Sequence, residues 1–426
     1  MISFLLLASC TGQKASDPSY HQDIKPIIEA RCITCHTEGD IGGFALDNID
    51  TVQQLAPLIA SEVSTRSMPP WPAGDGPTYI NDWSLTEEQI QLFVEWADAG
   101  APEGPEQDGD AVEEIGTSLS RVDLELQMPQ IYSPPAEQGD DYRCFVLDWP
   151  ETETTFITGF HALPDNKSIV HHIAAYLIRP DGLLGESIFQ TFADWDEAEE
   201  GPGYGCFGGP SGQGGSNQVP IEQLAQWVPG NQGWDFPQGT GIQVDPGSKV
   251  VLQIHYYAGP GIEDTSDQTS MLFQLDDSVA HTAAYAPWLN GSWPLGNMEI
   301  PAGDDHVVIE TQGDPRGFFS LLNPNLDLGT GFRIYGMMLH MHVLGKSGQL
   351  VLVKSDGTEI TLLDIPKWDF DWQFTYILEE PIDFVDGDEL KVQCVFDNSG
   401  EDAIDVTWGE GTEDEMCVGN LFITPM

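Results

Sequence analysis

The chain has 426 residues, room for roughly three domains of about 150 residues, and its 40% hydrophobic content is enough for sizeable cores. It carries 69 acidic residues against 15 basic ones, a formal charge of −54. That balance excludes nucleic acid and anionic lipid surfaces as partners, because both need Lys and Arg to neutralise phosphates; it fits a hydrated exterior suited to salt or, less simply, a field that steers cationic redox partners.

Residues 1–19 read as an export signal and tether. The run Leu7-Ala8-Ser9-Cys10 resembles the lipobox of bacterial lipoproteins, in which Cys10 would become the acylated first residue. The apolar stretch before it is short and lacks a basic residue, so either the start lies upstream or the segment is an ordinary export signal. No later stretch approaches the ~18 apolar residues of a transmembrane helix. The expected location is periplasmic or cell-surface, as an outer-membrane lipoprotein of a Gram-negative bacterium that meets the membrane only through its anchor.

Residues 20–102 look helical at both ends. Ile24, Ile27 and Ile28 have helical spacing, and Pro26 fits only in a first helical turn. Thr86 and Gln89 form a capping box ahead of the stripe Ile90, Phe93, Val94 and Trp96, with Gly100 as the stop. Between them, Cys32-Ile33-Thr34-Cys35-His36 is the c-type haem attachment pattern: two thiols for the vinyl groups and an adjacent histidine for one axial face. Met68, before Pro69 and Pro70, is the candidate for the other axial position, and Met/His ligation raises the haem potential. His21 reads as a surface residue. The segment resembles a small class I cytochrome c domain, which implies one haem c held by Cys32, Cys35, His36 and Met68.

Residues 103–120 form an acidic linker, and its run Asp108–Glu114 lacks the spacing of a calcium loop. From 121 onward short strands alternate with Gly/Pro/Asn/Asp turns, as in all-β sandwiches. Predicted strands include Cys144–Asp148, Ile169–Ile178, Lys249–Tyr257, Arg333–Leu344, Gln349–Val353, Glu389–Phe396 and Val418–Thr424. Some 300 residues are generous for one sandwich, so the region divides into 121–279 and 280–426. Gly203–Gly208 fits GxGxxG, but no helix follows it, which argues against a dinucleotide site. Cys144, Cys206, Cys394 and Cys417 can form two disulfides in an oxidising compartment, with three pairings open.

Five of the ten histidines fall into three sets in predicted strands: His171-His172, His255, and His340 with His342. Side chains two apart on a strand share a face, so His340 and His342 can converge on one metal while Met341 points away. On the strand around His255, Gln253 and Tyr257 share its face, and Leu252, Ile254 and Tyr256 take the other. Adjacent strand residues face opposite ways, so His171 and His172 can share a metal only if a bulge or strand end re-aims one of them. His161, His281 and His306 lack metal spacing and read as structural or surface residues.

The motifs Val170-His171-His172-Ile173, Leu252-Gln253-Ile254-His255-Tyr256, Leu339-His340-Met341-His342-Val343-Leu344-Gly345-Lys346 and Asp414-Glu415-Met416-Cys417 occur in this order. Together they resemble the copper type II, ascorbate-dependent monooxygenases, the class of peptidylglycine α-hydroxylating and dopamine β-monooxygenases, over roughly residues 120–426. The resemblance implies two antiparallel β-sandwich (jelly-roll) domains facing a solvent-filled cleft; with the cytochrome c-like segment ahead of them, the expected architecture is multidomain, a small α-helical cytochrome c domain followed by the two sandwiches. It implies two copper ions. One would be held by His171, His172 and His255 and would store an electron. The other would be held by His340, His342 and Met416, where dioxygen binds and a substrate C–H bond is hydroxylated; a thioether suits Cu(I). It also implies a disulfide beside the methionine, matched by Cys394 and Cys417, leaving Cys144 and Cys206 as the second pair.

The pattern departs from the peptide-amidating members. Their arginine two residues before the HxH motif is Met338 here, and a tyrosine shortly after the methionine ligand is replaced by Phe422. Both help those enzymes hold a substrate carboxylate, so a substrate without one, and a more apolar one, is expected. The expected protein is a monomeric monooxygenase acting on a small organic substrate with O2. Its electrons would come through the fused haem, from a redox donor protein, from ascorbate, or from a combination. The alternatives are a non-catalytic electron-transfer or copper-handling lipoprotein, and a structural β protein with a vestigial site.

Overall fold

The computed structural model describes residues 17–38, 40, 42–106, 110, 118–135, 140–180, 187–206, 209–211, 222–231, 233–257, 262, 264–323, 325–409 and 413–426. Cys10, with the acylation expected there, and most of the acidic linker lie outside these residues. The chain divides into two compact units. One comprises Met1–Thr37, Phe44–Pro69 and Ser84–Glu114; the other comprises Glu38–Gly43, Pro70–Trp83 and Ile115–Met426.

The first unit is helical. A π-helical turn, Tyr20–Ile24, runs into α1 (Lys25–Arg31), with Pro26 in its first turn, where no intrahelical donor is needed. α2 (Ile49–Ser64) was not anticipated: Val52, Ala56, Ile59 and Val63 form a buried stripe, but Pro57 interrupts the pattern from the exposed face. α3 (Glu87–Asp98) has the expected capping box, with both Thr86–Gln89 hydrogen bonds formed, and Gly100 follows at φ 84°. Ile24, Ile28, Val52, Phe93 and Trp96 meet in one core. His21 is half-buried rather than on the surface, its ring edge-on to Tyr20 and its Nε2 3.5 Å from Glu103.

The second unit is β-rich. Its first run of strands is β1 (Leu124–Gln127), β2 (Asp140–Asp148), β3 (Thr155–Leu163), β4 (Val170–Ile178), β5 (Tyr204–Gly205), β6 (Glu222–Trp227), β7 (Trp234–Asp235), β8 (Thr240–Val244), β9 (Lys249–Tyr257), β10 (Ser270–Asp276) and β11 (His281–Thr282), with helix α4 (Ser187–Ala198) after β4. They form two sheets, in the orders β1-β10-β3-β8-β11 with β7 on β3, and β5-β2-β9-β4-β6. Phe145, Ile173, Leu252 and Ile254 from one sheet share a core with Ile157, Phe160, Ile242 and Met271 from the other.

The second run is β12 (Ala284–Trp288), β13 (Glu299–Ile300), β14 (Val307–Gly313), β15 (Gly331–His340), β16 (Gly345–Val353), β17 (Glu359–Ile365), β18 (Tyr376–Val385), β19 (Glu389–Phe396), β20 (Val406–Thr407) and β21 (Val418–Pro425), with α5 (Arg316–Leu322) before β15. These strands form the sheets β12-β21-β15-β18 and β14-β19-β16-β17 and the pair β13-β20. Leu339 and Leu421 from the first sheet meet Leu350, Val392 and Phe396 from the second. The segment Pro70–Trp83 belongs to this unit, although the sequence reading placed it in 20–102. Its Tyr79 hydroxyl donates to the Leu362 carbonyl at 2.8 Å, and Trp71 lies edge-on to Tyr376.

Candidate metal centres

β2, β9 and β4 are neighbours, and their register places Tyr142, His255 and His172 side by side across the sheet. The pairing of β4 with β9 slips between Val170 and His172, so His171 is the extra residue of a bulge. A bulge bends its strand and re-aims a side chain. Both adjacent imidazoles therefore face His255, which regular alternation would forbid. The Nδ1 of His172 lies 3.4 Å from that of His171 and 3.3 Å from that of His255. Two nitrogens bound to one tetrahedral metal at about 2.0 Å lie roughly 3.3 Å apart, so this spacing fits a shared ion. Among the described residues, these three are the one group of His, Cys, Asp or Glu whose ligand atoms cluster this closely, within 4.8 Å.

The surroundings prepare the three rings. His255 is buried, stacks on Tyr142 at 4.1 Å, and donates from Nε2 to the Asp140 carboxylate at 2.8 Å. That bond turns the Nδ1 lone pair of His255 toward the other two histidines, and it holds the Asp140 carboxyl below its usual range. Burial lowers the pKa of His171 and pushes that of His172 further down, and nearby imidazoles add to both shifts. Neutral rings are the form a metal needs. On β9, Leu252, Ile254 and Tyr256 enter the core opposite His255, as alternation predicts. Gln253 donates to the carbonyls of Cys206 and Gly209.

The second set differs from the expected strand. β15 ends at His340, so His342 lies outside a ladder that the sequence reading extended to Leu344. Residues 341–344 carry the chain from one sheet to the other, and the Glu415 carboxylate takes the backbone donors a strand would have supplied. It accepts from His342 N at 2.7 Å and from Leu344 N at 2.5 Å. Side-chain alternation survives: Met341 is fully buried in the core, while the rings of His340 and His342 lie 5.0 Å apart. His340 Nδ1 donates to Gln373 Oε1 at 2.6 Å, and His342 Nδ1 donates to the Asp414 carbonyl at 3.0 Å. Both bonds favour the tautomer that carries its proton on Nδ1. Burial, with His342 beside it, pushes His340 down to about 4 against the opposing bond to Gln373.

Met416 follows Glu415 directly and is 7% exposed. Burial raises the Glu415 carboxyl to about 7, even with the backbone donors of His342, Leu344 and Met416 pulling it down. Disulfides join Cys394 to Cys417 and Cys144 to Cys206, the pairs that the resemblance implied. The first lies immediately after Met416; the second ties β2 to the loop that Gln253 holds. His171, His172, His340, His342 and Met416 all line one cavity of about 560 Å³. Met338 also lines it, whereas Phe422 packs in the core against Trp234, Phe236 and Tyr285. His281 and His306 are exposed; His161 is half-buried, with its pKa lowered by burial.

In the first unit, Cys32, Cys35 and His36 share the turn after α1, where the backbone N–H groups of Cys35 and His36 both donate to the Cys32 carbonyl. Neither cysteine is in a disulfide. His36 Nδ1 lies 3.2 Å from the Phe44 carbonyl. Met68 follows α2, and 37% of it is exposed. Asp140, Gln373 and Glu415 were missed as functional residues. Only Glu415 had a sequence signal, its place beside Met416; the partners of the other two are set by pairing distant in the chain.

Residues 296–424 match the family described as copper type II ascorbate-dependent monooxygenase, C-terminal domain. Over 306 residues the chain is 24% identical to the human putative DBH-like monooxygenase protein 2, covering 65% of this chain and 54% of the relative. It is 25% identical to the mouse DBH-like monooxygenase protein 2, covering 65% of this chain and 44% of that protein. The chain thus spans about half the length of the curated relatives it matches. A solved structure, the infectious bursal disease virus VP2 subviral particle, has 11% identity and a TM-score of 0.14 over 73% of this chain and 75% of that one, too little to carry an argument. The family match and the two relatives support the copper monooxygenase family for the β-rich unit.

Proposed function

We propose that this protein is a copper-dependent monooxygenase that hydroxylates a C–H bond of an organic substrate. The observation that carries the reading is the single cavity onto which His171, His172, His340, His342 and Met416 open. His171, His172 and His255 would hold one copper; His340, His342 and Met416 would hold the other, and the thioether favours the cuprous state. Bound there, copper would supply dioxygen activation and electron storage. The net reaction inserts one oxygen atom into the substrate and releases the other as water, consuming two electrons and two protons.

The chain's own residues prepare these sites. Asp140, Gln373 and the Asp414 carbonyl set the tautomers of His255, His340 and His342. Glu415 ties the His342 turn to the segment bearing Met416. The two sheet pairs would be the two β-sandwich halves that the resemblance implies. In the helical unit, Cys32 and Cys35, neither of them in a disulfide, would hold a haem covalently, with His36 and Met68 as its axial ligands. Haem there would relay electrons from a donor protein or from ascorbate. Two disulfides support an exported location, since such bonds persist in oxidising compartments.

The test is metal analysis followed by oxygen chemistry on the full chain. We expect two coppers per haem, and re-oxidation of reduced haem by oxygen that requires copper and yields a hydroxylated product. Haem and copper present with no oxygen-dependent product would support an electron-transfer or copper-handling protein instead. A chain that stays free of metal after copper addition would refute both.

A further inference from the structure

Gln373, the hydrogen-bond partner of His340, sits where no ladder holds it. β15 pairs with β18 through Gly336–Ile377 and Met337–Tyr376, and that ladder goes no further. Counted on, its register sets His340 opposite Gln373, but residues 372–375 belong to no strand or helix. A supporting group on such a stretch is held less firmly than one on a strand, unless other contacts fix its backbone. Gln373 Nε2 donates to the Phe370 carbonyl at 2.9 Å, which turns Oε1 to His340 Nδ1.

The segment Pro70–Trp83 supplies the missing contacts, although none of the copper ligands lies in it. The Asn81 carboxamide stands in for a neighbouring strand: Nδ2 donates to the Thr375 carbonyl at 2.8 Å, and Oδ1 accepts from Ile377 N at 3.1 Å. Ile80 N donates to the Ile377 carbonyl at 2.9 Å, and the Thr78 carbonyl accepts from Glu379 N at 3.0 Å. Next to Gln373, the buried Phe374 stacks on Trp372, and its ring centre lies 6.0 Å from that of Trp71. Trp71 also meets Tyr376 edge-on at 5.0 Å. Rings at these distances favour particular mutual orientations, so they fix direction as well as position. Asp371, in the same loop, reaches only to 3.8 Å from His171 Nε2, too far for a hydrogen bond. The three-histidine site does not share this support.

Resting on the copper reading, we infer that Trp71 and Asn81 are positioning residues for the His340 centre. They fix the backbone on both sides of Thr375 and hold Gln373 Oε1 against His340 Nδ1. Through that bond they set the tautomer of His340 and tighten copper at the His340, His342 and Met416 centre alone.

The test compares Asn81→Ala, Trp71→Leu, Trp71→Phe and Gln373→Ala in the full chain. Cu(I) affinity is measured by competition with a chromophoric chelator, and the centre concerned is the one that Met416→Ile weakens. We expect Asn81→Ala and Trp71→Leu to weaken copper there by about tenfold, with the other centre unchanged. Trp71→Phe, which keeps an aromatic ring in place, should retain most of the affinity. Asn81→Ala should add nothing to Gln373→Ala, because both act through one hydrogen bond. Should the alanine variant fail to fold, Asn81→Asp keeps the acceptor for Ile377, removes only the donor to Thr375, and should give the same loss. In the metal-free chain labelled with 15N-histidine, Asn81→Ala and Trp71→Leu should shift the imidazole signal of His340, identified by its loss in His340→Gln. Unchanged copper affinity, equal losses at both centres, or additivity with Gln373→Ala overturns the inference. A parent chain that binds no copper at this centre, while its His340 signal still depends on Asn81, overturns the copper reading and leaves the positioning of His340 standing; if that signal is also indifferent to Asn81, both fall.

Discussion

The tautomer of an imidazole decides which nitrogen can serve a metal, and in this chain hydrogen bonds set it. Asp140 takes the Nε2 proton of His255, while Gln373 and the Asp414 carbonyl take the Nδ1 protons of His340 and His342. Such outer partners are commonly worth 10–100-fold in metal affinity. Asp140→Asn should therefore weaken copper at the three-histidine site by about tenfold. Competition with a chromophoric Cu(I) chelator measures this, and unchanged affinity would remove Asp140 from the site's support. On the proposed ligand sets, Met416→Ile should abolish hydroxylation while the three-histidine site keeps its copper. Retained turnover would sink that assignment. The ligand types and their order were legible as motifs, but these supporting partners were not. Asp140 and Gln373 lie 115 and 33 residues from the histidines they orient, and no local spacing links them.

Local patterns predicted elements well where a single face decides. β9 spans the predicted Lys249–Tyr257, and the Thr86–Gln89 capping box opens α3. They failed where a tertiary partner overrides the pattern. β15 stops at His340 because Glu415 occupies the next backbone donors, and the bulge at His171 exists only in the pairing with β9. The turn between β18 and β19 offers an element-scale test. Burial alone would raise the Asp388 carboxyl, but Lys354 and the backbone donors of Val385 and Ser355 hold it below its usual range. A depressed acid stabilises the fold above its unfolded pKa, and that contribution is lost as pH falls through the folded value. The urea midpoint of Asp388→Asn should thus lie below that of the parent by a constant margin above about pH 5, and the margin should shrink on acidification. A margin that widens at low pH would contradict this account.

At the scale of the molecule, a charge of −54 implies self-repulsion that salt relieves. Thermal unfolding in about 0.05 M and about 1 M sodium chloride should show the melting temperature rising by a few degrees, since the screening length contracts roughly four- to fivefold. No rise would mean that the acids are already neutralised by local pairing. The sequence by itself determined the chemistry on offer: the CxxCH turn, the histidine sets, Met416, the four remaining cysteines and the strand texture. These are properties of residue type and short-range spacing. Only the tertiary structure decided that His171 and His172 face one point and that His171, His172, His340 and His342 open on one cavity. It alone brought Leu289, Phe318 and Met338 into one lining with Gln223, Gln226 and Gln253, with no lysine or arginine among the described lining residues. Those outcomes depend on sheet register and on strands more than a hundred residues apart, and pairing at that distance is settled by packing the whole β unit.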